Sequence, residues 1–195
     1  MYYLWDGFSG PHRWIDSYPD MKGLFWTTGR RFTEEIPEPL EIILEPLSED
    51  YDPDDPDSEE GPDMPDCFLD EIPLLTNALI EALTRGGVDN LDTYDAALID
   101  PETDERHDNY KAVNIIGLIA AADMDASNAT VHPGGPVIDV DFDGLVVDEA
   151  KAGGQLLFRL AESVNGILVH EKLKEHLLSA GFDRLVFLET GDVAL

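Results

Sequence analysis

The sequence predicts an α+β fold: a mixed sheet, few helices, and two repeated strand–helix–strand units. Three observations predict it. Two short helical stripes recur 94 residues apart, each between short apolar runs and each stopped by glycine. The first third is aromatic and broken by Gly and Pro, a pattern of short strands and turns. The middle of the chain is rich in β-branched apolar runs. The 195 residues, 43% of them apolar, suffice for one core and exclude wholesale disorder.

The elements follow in chain order. Residues 1–47 form an aromatic β segment packing on the core, with nine of the 17 Phe, Tyr and Trp residues before position 33. Residues 48–63 form an acidic, proline-rich loop, and 64–195 an α+β region of the same overall domain. Thr76 is placed to cap a helix over 77–85, with Leu79, Ile80 and Leu83 as its buried stripe and Gly86-Gly87 as its stop. Val88–Leu98 reads as a strand with its approach, and Tyr110–Ala120 as one central strand. Asp123–Ser127 is a turn, Val137–Asp143 an alternating strand, and Leu156–Leu160 another strand. Ile167–Val169, a helix over 171–180 with Leu173, Leu177 and Leu178, the stop at Gly181, and Leu185–Leu188 repeat the earlier unit. Six identities relate the two units: Leu79/Leu173, Glu81/Glu175, Leu83/Leu177, Gly87/Gly181, Asp89/Asp183 and Leu91/Leu185.

Charge narrows the function. Twelve basic against 42 acidic residues give a net charge of −30, which repels phosphate and argues against a nucleic-acid partner. No apolar run reaches the ~18 residues of a membrane span. The start, Met1–Asp6, lacks a basic region followed by an apolar stretch, so no secretory signal is expected. Cys67 is the only cysteine, which excludes an internal disulfide and suits a reducing cytoplasm.

The acidity is concentrated. From Phe32 through Thr84 the chain holds 18 acidic side chains and no Lys, Arg or His. Its densest part supplies candidate partner contacts Glu49, Asp50, Asp52, Asp54, Asp55, Asp57, Glu59 and Glu60, a field suited to steering a basic protein. Trp14 and Trp26 are the candidate aromatic anchors, because a tight interface needs buried rings as well as charge.

Catalytic and metal chemistry has little support. The five histidines show no zinc spacing and read as surface or capping residues. No nucleophile elbow, phosphate-binding loop or dinucleotide fingerprint occurs. Cys67 sits among Asp63, Asp66 and Asp70, whose charge disfavours a thiolate, so it reads as core. Asp139-x-Asp141-x-Asp143-Gly144 matches the first half of a calcium loop, but Ala150 occupies the closing position and Glu149 falls one residue early. The expectation is therefore a non-enzyme with no cofactor and no bound metal.

The order of four segments resembles immunity-protein family eleven of bacterial polymorphic toxin systems. These are Pro65-Asp66-Cys67-Phe68 leading into the first helix; Tyr110 and Asn114 opening the strand that ends in Asp123-x-Asp125-x-Ser127; Phe158-Arg159-Leu160; and Ile167-Leu168-Val169 with the last helix and Gly181. The likeness covers about residues 64–189 and departs from the family pattern at Asp183-Arg184-Leu185. It implies a cytoplasmic protein that binds a cognate toxin effector, here a basic one, and neutralises it by stoichiometric occlusion. A secretion adaptor or chaperone for an effector, and a calcium-responsive binding module, are the alternative expectations.

Overall fold

A computed structural model describes residues 1–55, 58–132 and 140–195. Its elements are β1 (Tyr2–Phe8), β2 (Ile15–Ser17), β3 (Leu40–Leu44), β4 (Cys67–Phe68), β5 (Leu74–Thr76), α1 (Asn77–Arg85), β6 (Leu91–Ile99), β7 (Arg106–Ile115) and β8 (Leu118–Ile119). They continue as β9 (Ala129–Val131), β10 (Val140–Phe142), α2 (Glu149–Ala152), β11 (Leu157–Leu160), β12 (Ile167–His170), α3 (Glu171–Ser179) and β13 (Leu185–Glu189). The fold is α+β with mixed sheets and, among the described residues, three α-helices. One sheet has the order β13-β1-β12-β11-β8, a second β2-β3-β6-β7-β5-β4, and β9 pairs with β10 alone.

The two strand–helix–strand units share one topology. In the first, β5 and β6 both run antiparallel to β7, which lies between them. In the second, β12 and β13 both run antiparallel to β1, again between them. The helices α1 and α3 begin and end at residues offset by 94. Thr76 Oγ1 accepts from Leu79 N at 3.3 Å, and His170 Nδ1 accepts from Lys172 N at 3.1 Å, so equivalent residues cap both helices. Gly87 and Gly181 follow the helices at φ +99° and +98°, a conformation other residues adopt only with strain. Outside each unit a further antiparallel strand is added, β4 on β5 and β11 on β12.

The units differ in where the central strand comes from. β7 follows β6 directly, whereas β1 arrives from the other end of the chain. The second unit is therefore a circular permutation of the first. Leu75, Leu79, Leu83 and Val113 from one unit share a core with Trp5, Val169, Leu173 and Leu177 from the other. Each such fully buried side chain contributes roughly 1.5–3 kcal/mol. His176 Nε2 lies 3.0 Å from Ala82 O, joining equivalent positions of α3 and α1. A Cβ on Gly86 would stand 2.7 Å from Leu173 Cδ1, so glycine there permits the close approach of the helices.

In the stretch over 88–98, expected as a strand with its approach, the strand itself begins at Leu91. The single strand expected over 110–120 is two, β7 in one sheet and β8 in the other. Gly117, at φ +100°, turns the chain between them, and its N–H donates to Gly29 O at 2.7 Å. Of the strand expected over 137–143, β10 covers Val140–Phe142, while positions 137–139 lie outside the described residues. Among the described residues no helix is long and apolar enough to cross a membrane.

Candidate docking site at the Trp14 seam

Residues 8–14 run along the seam where β1 of one sheet meets β4 of the other. Arg184 fixes the start of this run. Its Nε donates to Ser9 O at 2.9 Å, Nη2 to Pro11 O at 3.3 Å and Nη1 to Asp63 at 3.2 Å, and its guanidinium lies 4.3 Å over the Phe8 ring. The exit of the acidic loop is then stitched on as a short parallel bridge. His12 N donates to Glu59 O at 3.1 Å, Gly61 N to His12 O at 3.0 Å, and Arg13 N to Asp63 O at 2.9 Å.

Arg13 is the buried bolt of the site. Its Nη1 pairs with Asp100 Oδ2 at 2.7 Å and its Nη2 donates to Glu45 O at 2.7 Å. The Arg13 guanidinium, helped by the N–H groups of Glu102 and Thr103, holds the Asp100 carboxyl down at about 2. Glu45 N in turn donates to Trp14 O at 2.9 Å. The Trp14 backbone is thus clamped while its side chain faces outward, with the residue 39% exposed.

Trp14 is a wall of two concavities. One, about 170 Å³, is lined by the aromatic residues Phe8, His12, Trp14 and Phe68, with Asp6 and Asp70 among its other residues. The His12 ring centroid is 5.7 Å from Phe8, 4.5 Å from Trp14 and 6.4 Å from Phe68. His12 Nδ1 lies 2.8 Å from Gly10 O; a carbonyl only accepts, so Nδ1 carries the proton. The other concavity, about 340 Å³, is lined by Trp14, Glu45, Pro46, Ser48 and Glu60. There Glu60 Oε1 accepts from Ser48 N at 2.5 Å, drawing together the two ends of the acidic loop.

The acidic candidates sit as follows. Glu49, Asp50, Asp52, Asp54, Asp55 and Glu59 are exposed, Glu60 is half-buried, and Asp57 lies outside the described residues. Local turns order the loop, with Tyr51 N donating to Ser48 O at 3.0 Å and Asp54 N to Asp52 Oδ1 at 2.9 Å. Among the described residues, Glu49, Asp50, Asp52, Asp54 and Glu59 form no ion pair with any cation. Their field is therefore uncompensated close to Trp14.

The aromatic anchors need correction. Trp26 is 3% exposed and packs against the rings of Phe32 and Tyr94 in the core of the six-stranded sheet. It is a core residue, because its own strandless segment folds back over β3 and β6. Only Trp14 of the pair reaches the surface. His12 also departs from its expected surface place, being buried among three rings. Asp6, Phe8, Phe68 and Asp70 carry no site signal in sequence; the one local signal is Phe8-x-x-x-His12-x-Trp14 spanning the Gly10-Pro11 bend.

Other candidate chemistry is sparse. Cys67 is buried, and burial together with the Asp66 carboxylate pushes its thiol far up, away from nucleophilic use. In the half calcium loop, Asp141 meets His132 at 2.7 Å and Asp143 accepts from Asn128 at 3.2 Å, while position 139 lies outside the described residues. Among the described residues, no group of three or more His, Cys, Asp and Glu is placed to hold a metal ion. No protein-family model matches the chain, and no curated protein matches it.

Proposed function

We propose that this protein is a cytoplasmic immunity-type inhibitor that binds a basic toxin effector and blocks it by stoichiometric occlusion. The observation that carries the reading is the anchored acidic loop. Among the described residues its Glu49, Asp50, Asp52, Asp54 and Glu59 form no ion pair, its two ends are tied together at Glu60 and Ser48, and it borders the exposed Trp14. Such a field steers a cationic partner, and a clamped aromatic beside it supplies the desolvated anchor that charge alone does not. The segment order that resembles immunity-protein family eleven points the same way. A net charge of −30 on 195 residues suits competition for a cleft that otherwise holds polyanionic substrate.

The test is co-expression with the toxin-like product of an adjoining reading frame. An inhibitor restores growth; an adaptor binds that product without restoring it. With the purified pair, the quadruple variant E49K/D50K/D54K/D55K is expected to slow association by about tenfold or more at low salt and to flatten its salt dependence. Unchanged association removes the loop from the mechanism.

A further inference from the structure

We propose that the ring-lined pocket at the seam takes the guanidinium of an arginine side chain presented by the basic partner. This rests on the inhibitor reading and adds the chemistry of its central contact. At about 170 Å³ the pocket admits one side chain, well below the ~300 Å³ at which cofactor and substrate sites begin. Four of its lining residues carry aromatic rings, and three of these rings pack around His12, at 80° for Phe8, 61° for Phe68 and 41° for Trp14. Walls of this kind attract a cation through the ring quadrupoles. Exposed Asp6 and Asp70 add negative charge and oppose an anionic guest. The cluster already carries one guanidinium, that of Arg184 over Phe8, and Arg184 is not among the residues lining the pocket. Arginine suits the site better than lysine. Its guanidinium is weakly hydrated, stacks flat on an indole, and offers a fork of donors to a neighbouring carboxylate.

The experiment is an NMR titration of the Trp14 indole N–H, assigned by its disappearance in Trp14→Ala, with N-acetyl-arginine amide as probe. A saturable shift with half-saturation on the order of millimolar is expected. The lysine analogue should bind about threefold more weakly or worse, and D6N/D70N should weaken the arginine probe by at least about threefold. No saturable shift, an equal response to N-acetyl-leucine amide or to the lysine analogue, or an unaltered titration in D6N/D70N overturns the assignment. The two levels separate cleanly. If the arginine probe fails while co-expression still restores growth, the cage falls and the inhibitor stands. If the probe binds but the adjoining gene product is neither captured nor neutralised, the inhibitor falls and the pocket remains a guanidinium site.

Discussion

Arg159 offers the sharpest test of how this fold is held together. It sits in β11, 2% exposed, and its Nη1 donates to Val164 O at 2.9 Å. Its Nε and Nη2 have no hydrogen-bond partner, and no carboxylate lies within ion-pair distance among the described residues. Burial alone pulls its guanidinium from the ordinary 12.5 down to about 10. At about 1.4 kcal/mol per pKa unit, holding that charge in the interior costs about 3 kcal/mol. Arg159→Met keeps the unbranched stem in its packing and removes the charge. It also leaves Val164 O without its donor, a loss of about 1–2 kcal/mol. The net expectation is a gain of about 1–2 kcal/mol, since replacing a buried charge by a matched apolar group is often stabilising. Urea unfolding followed by tryptophan fluorescence measures it, as a rise in midpoint at unchanged slope. A midpoint that falls in R159M would refute the reasoning and show that the guanidinium is stabilising in its place.

The remaining predictions concern the bolt, a cap and the helix contact. Asp100→Asn should destabilise by about 3–5 kcal/mol, because it leaves the Arg13 charge buried and unpaired; chemical denaturation reads it. The wild-type carboxyl is depressed from 3.8 to about 2, so its contribution of about 2 kcal/mol is present above pH 4 and lost as pH falls toward 2. Stability should also fall as pH drops below 6.5, because burial, the N-terminal ammonium and Lys172 lower the pKa of His170 in the folded state and the unfolded chain takes the proton first. His170→Asn keeps a cap acceptor and should flatten that dependence in thermal melts at pH 5 to 7. Gly86→Ala should cost about 1–3 kcal/mol by forcing Leu173 and His176 away from α1, measured as a lowered melting temperature.

The two helices were legible in sequence almost to the residue because their signals are local. Thr76 as cap, Leu79 and Leu83 at helical spacing, and glycine at 87 each act within a turn or two. The 94-residue repeat was legible for the same reason. The central strand of its second copy was not, since β1 reaches β12 and β13 across most of the chain and no periodicity encodes a partner so distant. The run at 110–120 misled because apolar periodicity is blind to a change of sheet; only the conformation of Gly117 divides it. Trp14 and Trp26 look alike in sequence, and their opposite fates are tertiary, set by the Glu45 clamp on one and the Phe32 and Tyr94 rings around the other.

The same permutation couples the candidate site to folding. Asp6 and Phe8 come from β1, which completes the second unit, while Phe68 comes from β4, which extends the first. Trp14 and His12 lie on the connection from β1 to β2, tied by Arg13 to Asp100 just past the end of β6. The pocket therefore exists only when both units are closed and docked on their shared core. A partner that fills it binds the native state alone. By mass action, such a partner at a hundred times its dissociation constant adds about 2.7 kcal/mol to the stability of the whole chain. A partner cation seated at the seam would therefore raise the unfolding transition of both sheets together. Docking confined to the acidic loop would leave the two sheets coupled only as they already are.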